Sequence, residues 1–321
     1  MDSDRRLKVL YIAGNGRSGS TLLDVILGQV PGFFAVGEVR NMWDYGILQN
    51  RPCGCGKPFG ECPTWQTILG GDLLAGQTID PAEMATLRER FARTKRLLPM
   101  LLGGSRYVRK ASTDMRRYLD ATERLYWSVA ERTGASVIVD SSKWPTYAFL
   151  LDSIPSIDLH VLHLVRDPRA CAFSWTRKKE SEPGVYMDRH NAFVATSFWV
   201  AWNPAIQHFW GSRAQRYKFL TYEDFVTHPR RSFEEIVRFV GADVPSPGPF
   251  VDDHSISMAP THSLEGNATK FISGSVTIRS DTEWQSRIPM LSKAVVSAMT
   301  WPWLLRYGYW GGRGQRRGHG E

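Results

Sequence analysis

No apolar run in the chain approaches the roughly twenty residues that a membrane-spanning helix needs, so a transmembrane segment is excluded. No helix pattern is dense in Lys and Arg with interleaved aromatics, which argues against nucleic acid as the partner of a chain with net charge +8. The positive charges are scattered and suit a smaller polyanionic ligand. Internal repeats and linkers are missing too, and only the tail GGRGQRRGHGE, residues 311–321, has a composition expected to be disordered. Cysteine is scarce: four residues, three of them in CGCGKPFGEC as Cys53, Cys55 and Cys62. Those three suit a zinc site short of an obvious fourth ligand nearby, a disulfide that a reducing compartment would disfavour, or a turn-rich loop without metal. The fourth, Cys171, reads as a small core residue on a helix.

One absence is more telling. AGNGRSGSTLLDVILG, residues 13–28, is almost a nucleotide-binding P-loop, but Ser20 stands where the P-loop lysine belongs. Only VIVD, ending at Asp140, approaches the apolar run plus Asp of a Walker B metal site. A nucleotide triphosphatase relies on that lysine and Mg²⁺ to neutralise its β- and γ-phosphates. Here Arg17 is the nearest cation.

What is present reads as an α/β chain, with hydrophobic residues at 42% supplying ample core. LKVLYIA (7–13) is a short buried strand running into the glycine loop, and STLLDVILGQV continues as a helix. Cleaving that strand as a signal peptide would destroy the loop, so we expect a cytoplasmic protein. Residues 31–75 read mostly as loop. Asp80, Pro81 and Glu83 form a capping-box start for a helix, and a second helix spans roughly 113–133 before Gly134. Its Arg116, Arg117 and Arg124 read as a solvated face. Further strands are expected at 136–142, 159–167 and 217–224, with a helix over 191–210 that Pro204 would kink. Such alternation predicts a parallel sheet covered on both faces, with ligands beyond the carboxyl ends of the strands.

Four clusters sit at those ends. The glycine loop offers backbone N–H groups from Arg17 to Thr21 at a helix start, with donors from Arg17, Ser20 and Thr21. Arg166 ends a strand, and Ser174 lies eight residues on in the helix opened by Pro168, where the two could bracket a phosphate. Lys143 follows VDSS and could act as a point charge on a transferring group. Glu38 is either a general base or a partner for Arg40 or another surface cation. His160 and His163 are rival bases by type, but they flank a strand interior and read as core.

Together these clusters resemble the PAPS-dependent sulfotransferase family. GRSGSTLL resembles its 5′-phosphosulfate loop, VRDPRACAFS its 3′-phosphate motif, and TYEDF the segment whose tyrosine lies near the adenine, here Tyr222. RSGSTLLDVILGQVPGFFAVGE is similar to tyrosylprotein sulfotransferases and related bacterial sulfotransferases, and GNATKF with DTEW extends the likeness. The resemblance implies a three-layer α/β/α fold with a central parallel sheet, like that of P-loop NTPases. It implies one sulfotransferase domain over 1–310, with a Cys/Gly/Pro-rich loop at about 41–75 and a helical insertion at about 80–134.

It also implies Glu38 as catalytic base, with Arg17 and Lys143 holding the sulfuryl group. Arg17, Ser18, Gly19, Ser20, Thr21, Leu22, Arg166, Ser174, Tyr222, Asn267 and Lys270 would bind PAPS and its product PAP, with no metal required. Peptide tyrosine is not carried over as the acceptor, because the middle region with CGCGKPFGEC departs from the animal enzymes and no secretory signal is read. A small molecule, phenol, glycan or lipid is expected instead. The alternatives are a P-loop kinase or NTPase with an atypical loop, and a non-catalytic anion- or lipid-binding protein. The latter draws on WPWLLRYGYW (301–310), which suits a peripheral membrane contact less well than a packed terminal element.

Overall fold

The structure is a computed structural model that describes residues 6–70, 79–182 and 184–310; the basic tail at 311–321 and part of the Cys/Gly/Pro-rich loop lie outside the described residues. Strands β1 (Leu7–Gly14), β2 (Phe33–Gly37), β3 (Val137–Lys143) and β4 (Ile157–Val165) belong to the central sheet. A hairpin of β5 (Glu180–Glu182) and β6 (Val185–Tyr186) follows, and β7 (Tyr217–Thr221) completes the sheet. The order is β2-β3-β1-β4-β7, every pair parallel. A second hairpin pairs β8 (Ser255–Met258) with β9 (Gly274–Thr277).

Alternation along β1 explains the layers. Val9, Tyr11 and Ala13 enter one core, while Leu10 and Ile12 enter the other. Because both faces are buried, the strand is apolar throughout, as a central parallel strand must be. The helices follow from local signals. Helix α1 (Ser20–Leu27) and, after Cys62, α2 (Pro63–Leu69) flank β2 in sequence. Asp80 accepts from Ala82 N to cap α3 (Pro81–Phe91), but Glu83 pairs with Arg117 at 2.8 Å, leaving the capping box half made. Ser112 caps α4 (Thr113–Thr133), which ends on left-handed Gly134 as its pattern predicts. Helix α5 (Pro168–Thr176) buries Cys171, and α6 (Ala192–Trp210) runs through Pro204.

Three departures from the sequence expectations have local causes. Strand β7 stops at Thr221, because the Thr221 hydroxyl accepts from Asp224 N and opens α7 (Tyr222–Thr227). Strand β4 stops at Val165, because Asp167 caps α5. Residues 33–37, expected as loop, form edge strand β2. Beyond β7, α8 (Pro229–Phe239) packs into the core that holds Leu10 and Ile12.

The terminal helix α9 (Met290–Arg306) precedes Tyr307 and Tyr309, which pack with Trp303 against Val165, Cys171 and Trp199. Trp301 and Leu305 remain exposed on its other side. No described helix is long and apolar enough to cross a membrane.

Candidate functional site

All five sheet strands run the same way, so their carboxyl ends share one edge, and each end carries a residue singled out from the sequence. Arg17 follows β1, Glu38 follows β2, Lys143 ends β3, Arg166 follows β4 and Tyr222 follows β7. A cavity of about 600 Å³ opens there. Arg17, Gly19, Ser20, Thr21, Glu38, Lys143 and Asn267 form part of its wall.

The glycine loop is shaped by close approaches. At Gly14 a Cβ would sit 2.3 Å from the Leu164 carbonyl oxygen, so the loop can leave β1 tight against β4. Gly19 adopts φ 90° as the residue before α1, and a Cβ there would meet the Tyr222 ring at 2.7 Å. Arg17 is itself left-handed at φ 71°. Its guanidinium lies 4.7 Å over the Trp175 ring, and Nη1 reaches Met187 Sδ at 2.6 Å. Its Nε and Nη2 are buried without a partner, as are Asn15 Nδ2, Arg40 Nε and Arg88 Nε. Unpaired buried donors are costly and rare. These five donors belong to four residues that line the same cavity.

Glu38 makes an ion pair with Lys143, both side chains largely buried. Lys143 has φ 72° and donates from Nζ to Ser141 O at 3.2 Å. The Glu38 backbone N–H donates to Leu264 O at 2.7 Å, fixing the residue after β2. Arg40 is not its partner. That guanidinium lies 4.0 Å over the Trp144 ring and donates to Asn41 Oδ1 and Ala92 O.

A second carboxyl, Glu265, was not visible in the sequence. It accepts from Asn41 Nδ2 and also lines the cavity. Burial first, and then the charge of Glu38, push its pKa up to about 8. The shift favours its protonated form and sets it apart from Glu38, which pairs with Lys143.

The remaining expected residues are not part of the cavity wall. Arg166 supports the glycine loop from behind: Nη1 donates to Arg17 O at 3.1 Å and Nη2 to Asp281 Oδ2 at 3.1 Å. Its guanidinium stacks 4.3 Å over Tyr222, and its Nε is buried without a partner. Ser174 is buried on α5, and Ser18 Oγ lies 3.8 Å from Cys171 Sγ. Leu22 packs on the core under α1. Lys270 is fully buried, donating to Pro52 O at 2.9 Å and facing Glu182 at 3.3 Å, so its ammonium does not face the cavity.

The rival groups sit elsewhere. His163 is fully buried between Tyr217 and Asn203, and burial pushes its pKa down to about 4. His160 packs edge-on to Phe239. Asp140 is buried and accepts from Ser142 N and Tyr126, its pKa pushed up to about 6 by burial.

A model of the sulfotransferase family matches residues 10–246. Carbohydrate sulfotransferase 4 from Mus musculus is 34% identical over 117 residues, a stretch covering 30% of this chain and 28% of that protein. The chain thus matches under a third of that curated relative's length. Among solved structures, the sulfotransferase domain from the curacin biosynthetic pathway aligns over 94% of this chain and 98% of its own, with TM-score 0.52 at 16% identity. The sulfotransferase domain from the Synechococcus PCC 7002 olefin synthase covers 94% and 96%, with TM-score 0.48 at 20% identity. The family match runs from within β1 to beyond α8, across the glycine loop and all five strand ends, and the chain belongs to the sulfotransferase family of enzymes.

Proposed function

We propose that this enzyme moves the sulfuryl group of PAPS to a hydroxyl of a small-molecule, phenol, glycan or lipid acceptor, with Glu38 as general base. The observation that carries this reading is the meeting, in one cavity, of the Glu38–Lys143 pair with an Arg17 whose Nε and Nη2 are buried and unsatisfied. When bound, PAPS supplies the activated sulfuryl group. The Arg17–Thr21 segment, with Ser18, Gly19 and Leu22, would hold the 5′ end. Arg166 and Ser174 would take the 3′-phosphate, with Tyr222 beside the base, and Asn267 faces the same cavity.

In-line transfer asks the protein to position the reactants and to neutralise developing charge. Glu38 would take the proton from the acceptor hydroxyl, making its oxygen the nucleophile. Lys143 and Arg17 would balance the negative charge of the transferring group, a task that a kinase gives to lysine and Mg²⁺. The aromatic pair Trp144 and Trp202, with ring centroids 4.6 Å apart, lines the acceptor side together with Arg88 and Arg93. Aromatic side chains with cationic donors beside them suit a hydroxylated ring or sugar. The name of the mouse relative supports glycans within that set.

Labelled PAPS offered with a panel of phenols, sugars, lipids and peptides tests the proposal. Label should reach a hydroxyl acceptor without added magnesium, and PAP should raise the melting temperature. Stabilisation by Mg-ATP and not by PAP would overturn the reading.

A further inference from the structure

The cysteine loop has no part in the transfer chemistry, yet the fold buries it. Cys53 and Cys62 have no exposed surface, and Cys55 is half-buried. The residue they converge on is His262, which lies 200 positions beyond Cys62. Cys62 Sγ is 3.2 Å from His262 Nδ1, Cys53 Sγ is 3.8 Å from the same nitrogen, and Cys55 Sγ is 3.7 Å from Cys62 Sγ. All four ligand atoms lie within 4.8 Å of one another. Tetrahedral zinc with Zn–S of about 2.3 Å and Zn–N of about 2.0 Å places neighbouring ligand atoms roughly 3.5–3.8 Å apart. The three close spacings, Cys62 and Cys53 to His262 and Cys55 to Cys62, lie near the edges of that tetrahedron.

The surroundings hold the ligands in place. His262 Nε2 lies 3.0 Å from Thr64 Oγ1, the outer contact that orients a ligating imidazole with Nδ1 inward. Trp65 Nε1 donates to His262 O at 2.8 Å, and Phe34 stacks nearly parallel to the imidazole. Cys53 N donates to Lys57 O and Gly56 N to Cys53 O, both at 2.8 Å, closing the tight turn that carries Cys55 back toward Cys62. A Cys55–Cys62 disulfide would leave Cys53 and His262 unused, whereas one ion uses all four.

We propose that Cys53, Cys55, Cys62 and His262 bind one zinc ion. Four protein ligands leave no open position, so the site is structural and not a second catalytic centre. Its task follows from the neighbouring backbone. Leu264, two residues after His262, bridges both Cys53 and Gly37, and its carbonyl accepts from Glu38 N. Glu265, Gly266 and Asn267 then enter the cavity wall. The ion clamps that wall, and with it the backbone of Glu38, to the loop at 53–62.

The test needs neither donor nor acceptor, so it stands apart from the transfer reading. The full chain, purified without chelator, should contain one zinc per chain by elemental mass spectrometry. Mercurial titration of its thiols should release that zinc, and cobalt substitution should give the visible absorption of a tetrahedral thiolate site. Cys55→Ser should lose the metal and melt at lower temperature, while His262→Cys should retain zinc on four thiolates. Native protein essentially free of zinc, a Cys55–Cys62 disulfide in the unreduced protein, or equal zinc in wild type, Cys55→Ser and His262→Ala would each overturn the proposal.

Discussion

The glycine loop at 15–19 and the cysteine loop at 53–62 both support the cavity that holds Glu38, by opposite means. The first is contiguous: a strand ends, glycines let the backbone pass close to Leu164 and Tyr222, and a helix starts with Ser20 and Thr21 in the cavity wall. The second is assembled by side chains from two distant segments, Cys53 to Cys62 and His262, joined through the Leu264 bridges. A site made from consecutive backbone draws on residues close in sequence. A site made from converging side chains needs segments some two hundred residues apart to meet, beside the Glu265–Asn267 wall. The comparison separates residues that act on the ligand from residues that hold the wall in place.

The largest expected effect lies where both loops meet. Glu38→Gln should lower turnover by about 100- to 10,000-fold, with stabilisation by PAP retained. Wild-type turnover in that variant would remove Glu38 as the base. Next, Lys143→Ala and Arg17→Ala should each reduce turnover by roughly 100- to 1,000-fold, the scale of losing one charge-stabilising donor. Of the two, only Arg17→Ala should also weaken PAP binding in calorimetry.

Gly19→Ala places a Cβ where φ is 90° and the Tyr222 ring is 2.7 Å away. A left-handed non-glycine residue costs about 1–2 kcal/mol of folding stability, so the melting temperature should fall, and displacing the Tyr222 ring should weaken PAP binding. The cobalt spectrum of the cysteine site should not change. Cys55→Ser should do the reverse. If Gly19→Ala altered the cobalt spectrum, the two loops would not be separable.

The smallest effect belongs to Asp24, which joins the two regions by accepting from Ser263 Oγ at 2.6 Å. Burial pushes its pKa up to about 7, only partly offset by that hydrogen bond. Between the ordinary carboxylate range and about pH 7 the folded chain keeps a proton that the unfolded chain has lost. Stability therefore falls as pH rises through that window and levels off above it. Asp24→Asn should flatten the melting temperature between pH 5 and pH 8 by a few degrees; an unchanged slope would place the titration elsewhere.

Arg17, Lys143 and Arg166 were legible because each follows a short apolar strand, and in a parallel sheet that local fact fixes the shared edge. The edge strand at 33–37 was hidden by the Gly- and Pro-rich composition around it, although GFFAVG, an apolar run between two glycines, was the available signal. Glu265 and His262 carried no such signal. They lie in an irregular stretch between β8 and β9, and their positions are set by the Leu264 bridges to Gly37 and Cys53. Periodicity cannot report a contact made across some two hundred residues. The ends of β4 and β7 moved because Asp167 and Thr221 cap the next helices, which overrides the apolar run.

Lys270 sets the terms on which the acceptor wall could be redesigned. Its ammonium, wholly out of solvent, holds the Pro52 carbonyl of one segment and the Glu182 carboxylate of the hairpin that borders the cavity. Removing the carboxylate would strand a buried charge, a change of several kcal/mol that no gain in selectivity would offset. The hairpin tip is free of that constraint, since Val185 and Tyr186 face solvent. A library aimed at new acceptors belongs at Val185 and Tyr186, with Met187 left against Arg17 and Glu182 and Lys270 kept as a matched pair.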